Sequence, residues 1–370
     1  MNNPILNPPQ HDSRIIGFDL LRILSMLMVI VLHLLGQGGI LSETVEGSPH
    51  YYMAWGLECI CYCAVDCYGL LSGYLSVGRH RYTHSKIVSL WLEVVIYSTV
   101  YACIFRIISP EYAGKRELLN ALFPVLRRQY WYFTAFFGLS LFMPILHEGS
   151  RYLSKKSARL MLLLLLAVFC IFPTLFCTDP FHFRGGYSTL WLIVLYFFGA
   201  LLNKSGLIKK LAPGCLAAVF FLCTALTFLL SVVSPVSIPR IGTVTLLNYT
   251  SPTVLLSAAS LLLMLRELKI SRKSVQRMLV RLSGASFAVY ILHTNALVWK
   301  YWFYPGVLKG FAHLPVLILP CFAVGCSALV YALCFGIDSL RALFFKKVRI
   351  HARLEALENR IILKIGSAKE

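Results

Sequence analysis

Runs of about twenty predominantly apolar residues recur along this chain from one end to the other, and few folds accept them. Inside hydrocarbon every backbone N–H and C=O must find a partner within the protein, so only helices and closed barrels can cross. The runs are continuous, unlike the alternating segments of about ten residues that barrel strands require. They predict an all-α, polytopic membrane bundle of about ten helices, over residues 15–36, 54–76, 86–108, 129–147, 158–177, 187–203, 213–234, 248–266, 285–302 and 314–336. Composition agrees, with 58% of residues hydrophobic and 14% charged, against roughly 45–50% and 25% in soluble domains. The fourth, sixth and ninth runs are short and rich in aromatic residues, which predicts that they pack inside the bundle.

A formal net charge of +19 would suit nucleic acid, but the cations sit in short clusters between apolar runs and no nucleic-acid module accompanies them. That is the arrangement of loops facing anionic lipid. With the N-terminus cytoplasmic, loop Lys and Arg on that side outnumber those on the other about threefold, and an even number of spans brings the C-terminus back. The chain accordingly divides into a cytoplasmic segment 1–14, a membrane domain 15–336 and a basic amphipathic tail 337–370, leaving no stretch for a soluble domain. In the tail Phe344, Phe345, Val348, Ile350, Leu354 and Leu357 mix with Arg341, Lys346, Lys347, Arg349 and Arg353, a pattern suited to the inner membrane surface. Gly36-Gln37-Gly38-Gly39 offers no small-residue cleavage site, so the first run reads as a retained helix and not a signal peptide. The twelve cysteines lie almost entirely within apolar runs. Cys59, Cys63 and Cys67 share a helix face without a histidine at ligand spacing, so they read as packing residues and no metal is expected.

The first run carries the groups with most bearing on function. Arg22 and His33 bracket ten residues that are almost wholly apolar. Eleven helical steps return to within about 20° of the start, so both side chains share one face, about 16 Å apart along the axis. Ionisable groups at such depth face a cavity or one another. The stripe predicts a path for a charged or polar-headed substrate, with the arginine near one membrane surface and the imidazole past the midplane. His33 is the candidate general base, because a neutral imidazole can accept a hydroxyl proton near neutral pH. Arg22 is placed either to stabilise an anionic part of a donor or to pair with Asp19 one turn earlier, and the two roles are compatible.

Other candidates follow along the chain. Glu58 lies in the second run at the level of His33 and reads as a candidate catalytic residue that orients that imidazole, or as a structural group. Asp66, further along, reads as a structural partner of Arg22. Tyr74 closes the run, and Arg79, Arg81 and Lys86 follow at the inner surface. Clustered cations there suit a polyphosphate headgroup, and positive-inside bias would produce them too. On the opposite side Arg128, Trp131 and Tyr132 open the fourth run. Rings beside a cation suit a sugar or a lipid-linked phosphate acceptor, and equally an interfacial aromatic belt. His293 falls near mid-membrane in the ninth run, either lining the same cavity or bonding between helices.

These segments in succession resemble the acyltransferase-3 family of multi-pass membrane acyltransferases. The matching pieces are Gly17-Phe18-Asp19-x-x-Arg22 with His33, and Val65-Asp66 followed by Leu71-Ser72-Gly73-Tyr74-Leu75. Tyr130-Trp131-Tyr132 with Met143-Pro144-Ile145-Leu146, then Tyr196-Phe197 with Gly199, and the stretch from Ser286 to His293 continue the order. The resemblance implies transfer of an acyl group, usually acetyl, from cytoplasmic acyl-CoA to a hydroxyl of a cell-surface carbohydrate, glycolipid or precursor. It places the enzyme in the cell (plasma or inner) membrane, with Arg22 and His33 at the family's essential positions. It also implies no permanently bound cofactor, acyl-CoA being a donor substrate. The other reading is a transporter or flippase for a surface-glycan precursor, using the same buried charges as a permeation path. Against it, the sequence carries no internal repeats and no paired broken helices.

Overall fold

The computed structural model describes residues 14–77, 85–111, 113–207, 211–300 and 306–367. Its main helices, in chain order and here numbered first to tenth, are Ile16–Leu35, Pro49–Tyr74, Ser85–Ile108, Trp131–Tyr152, Lys155–Leu175, Thr189–Ser205, Pro213–Val233, Pro252–Arg266, Lys273–His293 and Ile318–Val348. Among the described residues, 6 spans are long and apolar enough to cross a bilayer: the first, second, third, fifth, seventh and tenth. The sixth and eighth are apolar but shorter. Charged residues interrupt the fourth and ninth at their ends. The protein is an all-helical polytopic membrane bundle.

Its centre is built from the first, sixth and eighth helices. Leu21, Ile30 and Leu35 are buried on the first, Trp191, Leu192 and Leu195 on the sixth, and Leu255, Ala258 and Leu262 on the eighth. The sixth helix and the second half of the ninth pack inside, as their aromatic content predicts, whereas the fourth buries only one face. Phe133, Leu139 and Met143 point inward from it while Leu141, Phe142 and Ile145 are exposed. The eighth helix is interior as well, with Leu255, Leu261, Leu262 and Leu263 buried. Its run of Ser257, Ala258, Ala259 and Ser260 is small enough for neighbours to close in. The fifth and seventh helices lie at the periphery, with Leu160, Leu163, Phe221 and Leu222 exposed. The second and sixth helices cross so closely that a Cβ at Gly73 would meet the Tyr196 backbone, and one at Gly199 the Leu70 backbone.

The tenth helix does not end at 336 as its hydropathy suggests. No glycine or proline interrupts residues 337–348, and a buried charge cluster holds them against the third helix. Arg341 donates to Asp338 at 2.6 Å and lies 3.4 Å from Glu93, while the Tyr97 hydroxyl donates to Asp338 at 2.7 Å. The chain turns only at Arg349, whose φ is 55°, and the final helix is Ile350–Ser367. Its Glu358 accepts the Ser85 backbone N–H at 3.0 Å, which returns this helix to the start of the third. In the loop after the seventh helix, Ser237–Ile238 pairs antiparallel with Gly242–Thr243, Ser237 opposite Thr243.

Candidate active site

The first and ninth helices run in the same direction and are pinned together by a polar bridge at each end. At one end the Ser283 hydroxyl donates to Asp19 at 2.6 Å. Asp19 is 1% exposed and also accepts from Arg14, through Nε at 2.7 Å and Nη2 at 2.6 Å, and from Arg22 Nη1 at 3.1 Å. A buried carboxylate is tolerated when several donors surround it, and this one accepts four such hydrogen bonds. The Tyr68 hydroxyl donates to the Arg22 carbonyl at 2.6 Å, fastening the second helix to the same point. Arg22 itself stays 30% exposed.

At the other end His33 Nδ1 lies 2.9 Å from His293 Nε2, and His293 Nδ1 lies 2.6 Å from the Val289 carbonyl. A carbonyl only accepts, so His293 Nδ1 carries the proton. With both rings neutral, His293 Nε2 then offers a lone pair and His33 Nδ1 must donate to it. This assignment of tautomers leaves the lone pair of His33 on Nε2. The Trp299 ring meets the His33 ring edge-on at 5.0 Å, and its indole N–H donates to the His293 carbonyl at 2.9 Å.

A single cavity of about 500 Å³ connects the two ends. Arg22, Ser72, Ser283 and Gly284 line one end; His33, Gly36, Gln37, Glu58 and Trp299 line the other. Between them the wall is largely apolar or aromatic, with Met26, Val29, Tyr68, Tyr132, Phe136 and Tyr290. On the second helix the lining residues are Glu58, Tyr62, Val65, Tyr68 and Ser72, a stripe at three- and four-residue spacing. The cavity therefore follows one face of each of two helices over their length.

A family model for an acyltransferase domain matches residues 15–337. The chain belongs to the acyltransferase 3 family. No curated protein and no solved structure matches it. The bundle is thus a membrane-bound, acyl-transferring enzyme, and an acyl donor is among its substrates.

In this acyltransferase the two groups that the first helix placed on one face, Arg22 and His33, open into the same void, and Trp131 and Tyr132 line it with them. His293 bonds between helices, and its partner is His33 itself. Several expectations need correction. Glu58 lines the cavity but makes no hydrogen bond to His33, whose Nδ1 is already engaged by His293; Glu58 Oε2 is buried without a partner. Asp66 does not pair with Arg22. It lies one position off the lining stripe, is fully buried, and accepts from Trp191 Nε1 of the sixth helix at 3.1 Å. Tyr74 does not line the cavity: it is buried against Phe18, edge-on at 5.4 Å, with Arg266 over its ring at 6.0 Å. Lys86 and Arg128 are exposed and do not line the cavity, Arg128 sitting in a loop with φ 50°. Arg79 and Arg81 lie outside the described residues.

The sequence reading missed Ser283, Trp299, Tyr62, Tyr187 and Tyr249, all of which line the cavity. Their partners stand on helices far away in the chain, and periodicity within one helix carries no signal of that. Among the described residues no group of three His, Cys, Asp or Glu side chains is arranged to hold a metal ion.

Proposed function

We propose that this acyltransferase moves an acyl group, typically acetyl, from acyl-CoA to a hydroxyl of a cell-surface carbohydrate or its precursor, with His33 as general base. The observation that carries the reading is one cavity lined by both Arg22 and His33. The anionic part of the donor binds at the Arg22 end, where a guanidinium fork suits phosphate. The excess of loop cations on that side makes it cytoplasmic, with both termini. The thin pantetheine arm then follows the first helix for about 16 Å, the rise of eleven residues, and delivers the thioester to His33. The acceptor enters from the opposite side, against Trp131 and Tyr132.

The acceptor oxygen attacks the thioester carbon while its proton passes to His33 Nε2. The C–O bond forms, the C–S bond breaks, and the departing thiolate takes the proton back from the imidazolium. During that interval His293 accepts from His33 Nδ1–H and shares the positive charge. General-base assistance of this kind contributes about 10²–10⁴-fold, and the apolar wall limits loss of the acyl group to water. Acyl-CoA is a substrate, and these steps need no resident cofactor.

The test is purified protein in lipid nanodiscs with radiolabelled acetyl-CoA and extracted surface glycan. His33→Ala is expected to lower acyl transfer about 10²–10⁴-fold with an unchanged thermal unfolding midpoint. Full activity in a folded His33→Ala protein would falsify the assignment.

A further inference from the structure

Glu58 has no part in the steps above, yet its buried carboxyl at this end of the cavity is poorly compensated. It is 8% exposed, lines the void, and leaves Oε2 without a hydrogen-bond partner among the described residues. Ala54 and Cys61 of the same helix pack against Val31, Leu32 and Leu35, which places Glu58 at the height of His33. Beside it stands a wall of rings contributed by four helices or their flanking loops. Tyr62 and Tyr249 stack at 4.8 Å, Tyr187 and Tyr249 meet at 5.1 Å, and Trp131 and Tyr187 at 4.5 Å. All four line the cavity.

An aromatic wall alone would accept any sugar ring. A carboxyl group buried beside it without a partner asks for more, because an isolated buried carboxylate is strongly disfavoured until a cation joins it. Ring faces attract cations as well, through their quadrupoles. We propose that this part of the cavity is a subsite for an acceptor that carries an ammonium group next to its reacting hydroxyl. The ammonium rests at Glu58 against the rings, and the neighbouring hydroxyl faces His33 Nε2. Two sources share this chemistry: a free amino sugar and an amino-alcohol headgroup. The inference rests on His33 acting as the base. It also fixes the product, because an amine held as its cation has no lone pair to attack the thioester. The acyl group therefore goes to oxygen, as an alkali-labile ester and not an amide.

Calorimetric titration of the full chain in nanodiscs tests this with two matched pairs, glucosamine against glucose and choline against 3,3-dimethylbutanol. The charged member of at least one pair is expected to bind about tenfold more tightly or better, and the pair that does so identifies the source. Glu58→Gln is expected to bring that ratio close to one, while Glu58→Asp retains part of it. If Glu58→Gln does not fold, Tyr249→Leu serves, with the same ratio reduced. Equal affinities within both pairs, no binding of either amine at its solubility limit, or an unchanged ratio in Glu58→Gln overturns the inference. His33-dependent turnover of acetyl-CoA, measured in parallel, separates the two failures. If it persists, the acyl-transfer reading stands without this subsite; if it is absent, both fall.

Discussion

At the Arg22 end of the cavity, charge is met by charge; at the His33 end, it is met by the direction of hydrogen bonds. Asp19 gathers Arg14, Arg22 and Ser283 around one buried carboxylate, so the guanidinium that faces the void is held in place by an ionic cluster. Among the described residues His33 has no ion pair. It is oriented by a second imidazole, which is oriented in turn by a carbonyl. A fixed charge suits the holding of an anion that does not change during the reaction. A neutral chain of donors and acceptors suits a proton that must arrive and leave, since no strong ion pair has to be broken at each turnover.

The largest expected effect follows from disturbing the ionic end. Asp19→Ala leaves Arg14 and Arg22, 56% and 30% exposed, without their shared carboxylate and strands the buried Ser283 hydroxyl, at a cost of about 1–3 kcal/mol. A fall in the unfolding midpoint is therefore expected, and a wild-type midpoint would erase the distinction between the two ends. Next comes the neutral end. His293→Phe removes the acceptor of His33 Nδ1–H and frees the tautomer, so kcat should fall about 10- to 100-fold, or roughly 1.4–2.8 kcal/mol of barrier, with KM for acetyl-CoA little altered. A change in KM alone would assign His293 to donor binding instead. The conservative Arg22→Lys keeps the charge but loses the planar fork. It should raise KM for acetyl-CoA about tenfold, equivalent to 1.4 kcal/mol, and leave kcat nearly intact. Tyr68→Phe, which removes one hydrogen bond to the Arg22 carbonyl, is expected to cost about 1 kcal/mol of stability. A cost near zero would show that this tether does not help position the cation.

Much of this comparison was legible in the first helix alone. The spacing of Arg22 and His33 put them on one face, and Asp19 at three residues from Arg22 foretold the ion pair that the structure contains. The helical class and the order of the main helices were legible for the same reason, because continuous apolar runs declare themselves residue by residue, although 6 of them are long and apolar enough to cross a bilayer among the described residues. Relations between helices were not. Asp66 looked free to reach Arg22 because nothing in its own helix revealed that Trp191, 125 positions away, would claim it. Glu58 looked like the partner of His33 because His293, 260 positions away, was not visible as a competitor for the same ring nitrogen. The end of the tenth helix was misjudged because the continuous apolar run stops at 336, just before Asp338 and Arg341. Their partners Glu93 and Tyr97 instead bury them. Sequence periodicity reports which face a residue occupies, and only packing reports what that face meets.

The central claim is that acyl donor and base meet inside one void. An experimental structure of the protein with bound coenzyme A tests it most directly. The account predicts phosphate density beside Arg22, the pantetheine arm extended along the first helix, and the sulfur close to His33 Nε2. Coenzyme A seated elsewhere, with the space between Arg22 and His33 left to lipid or water, would contradict it.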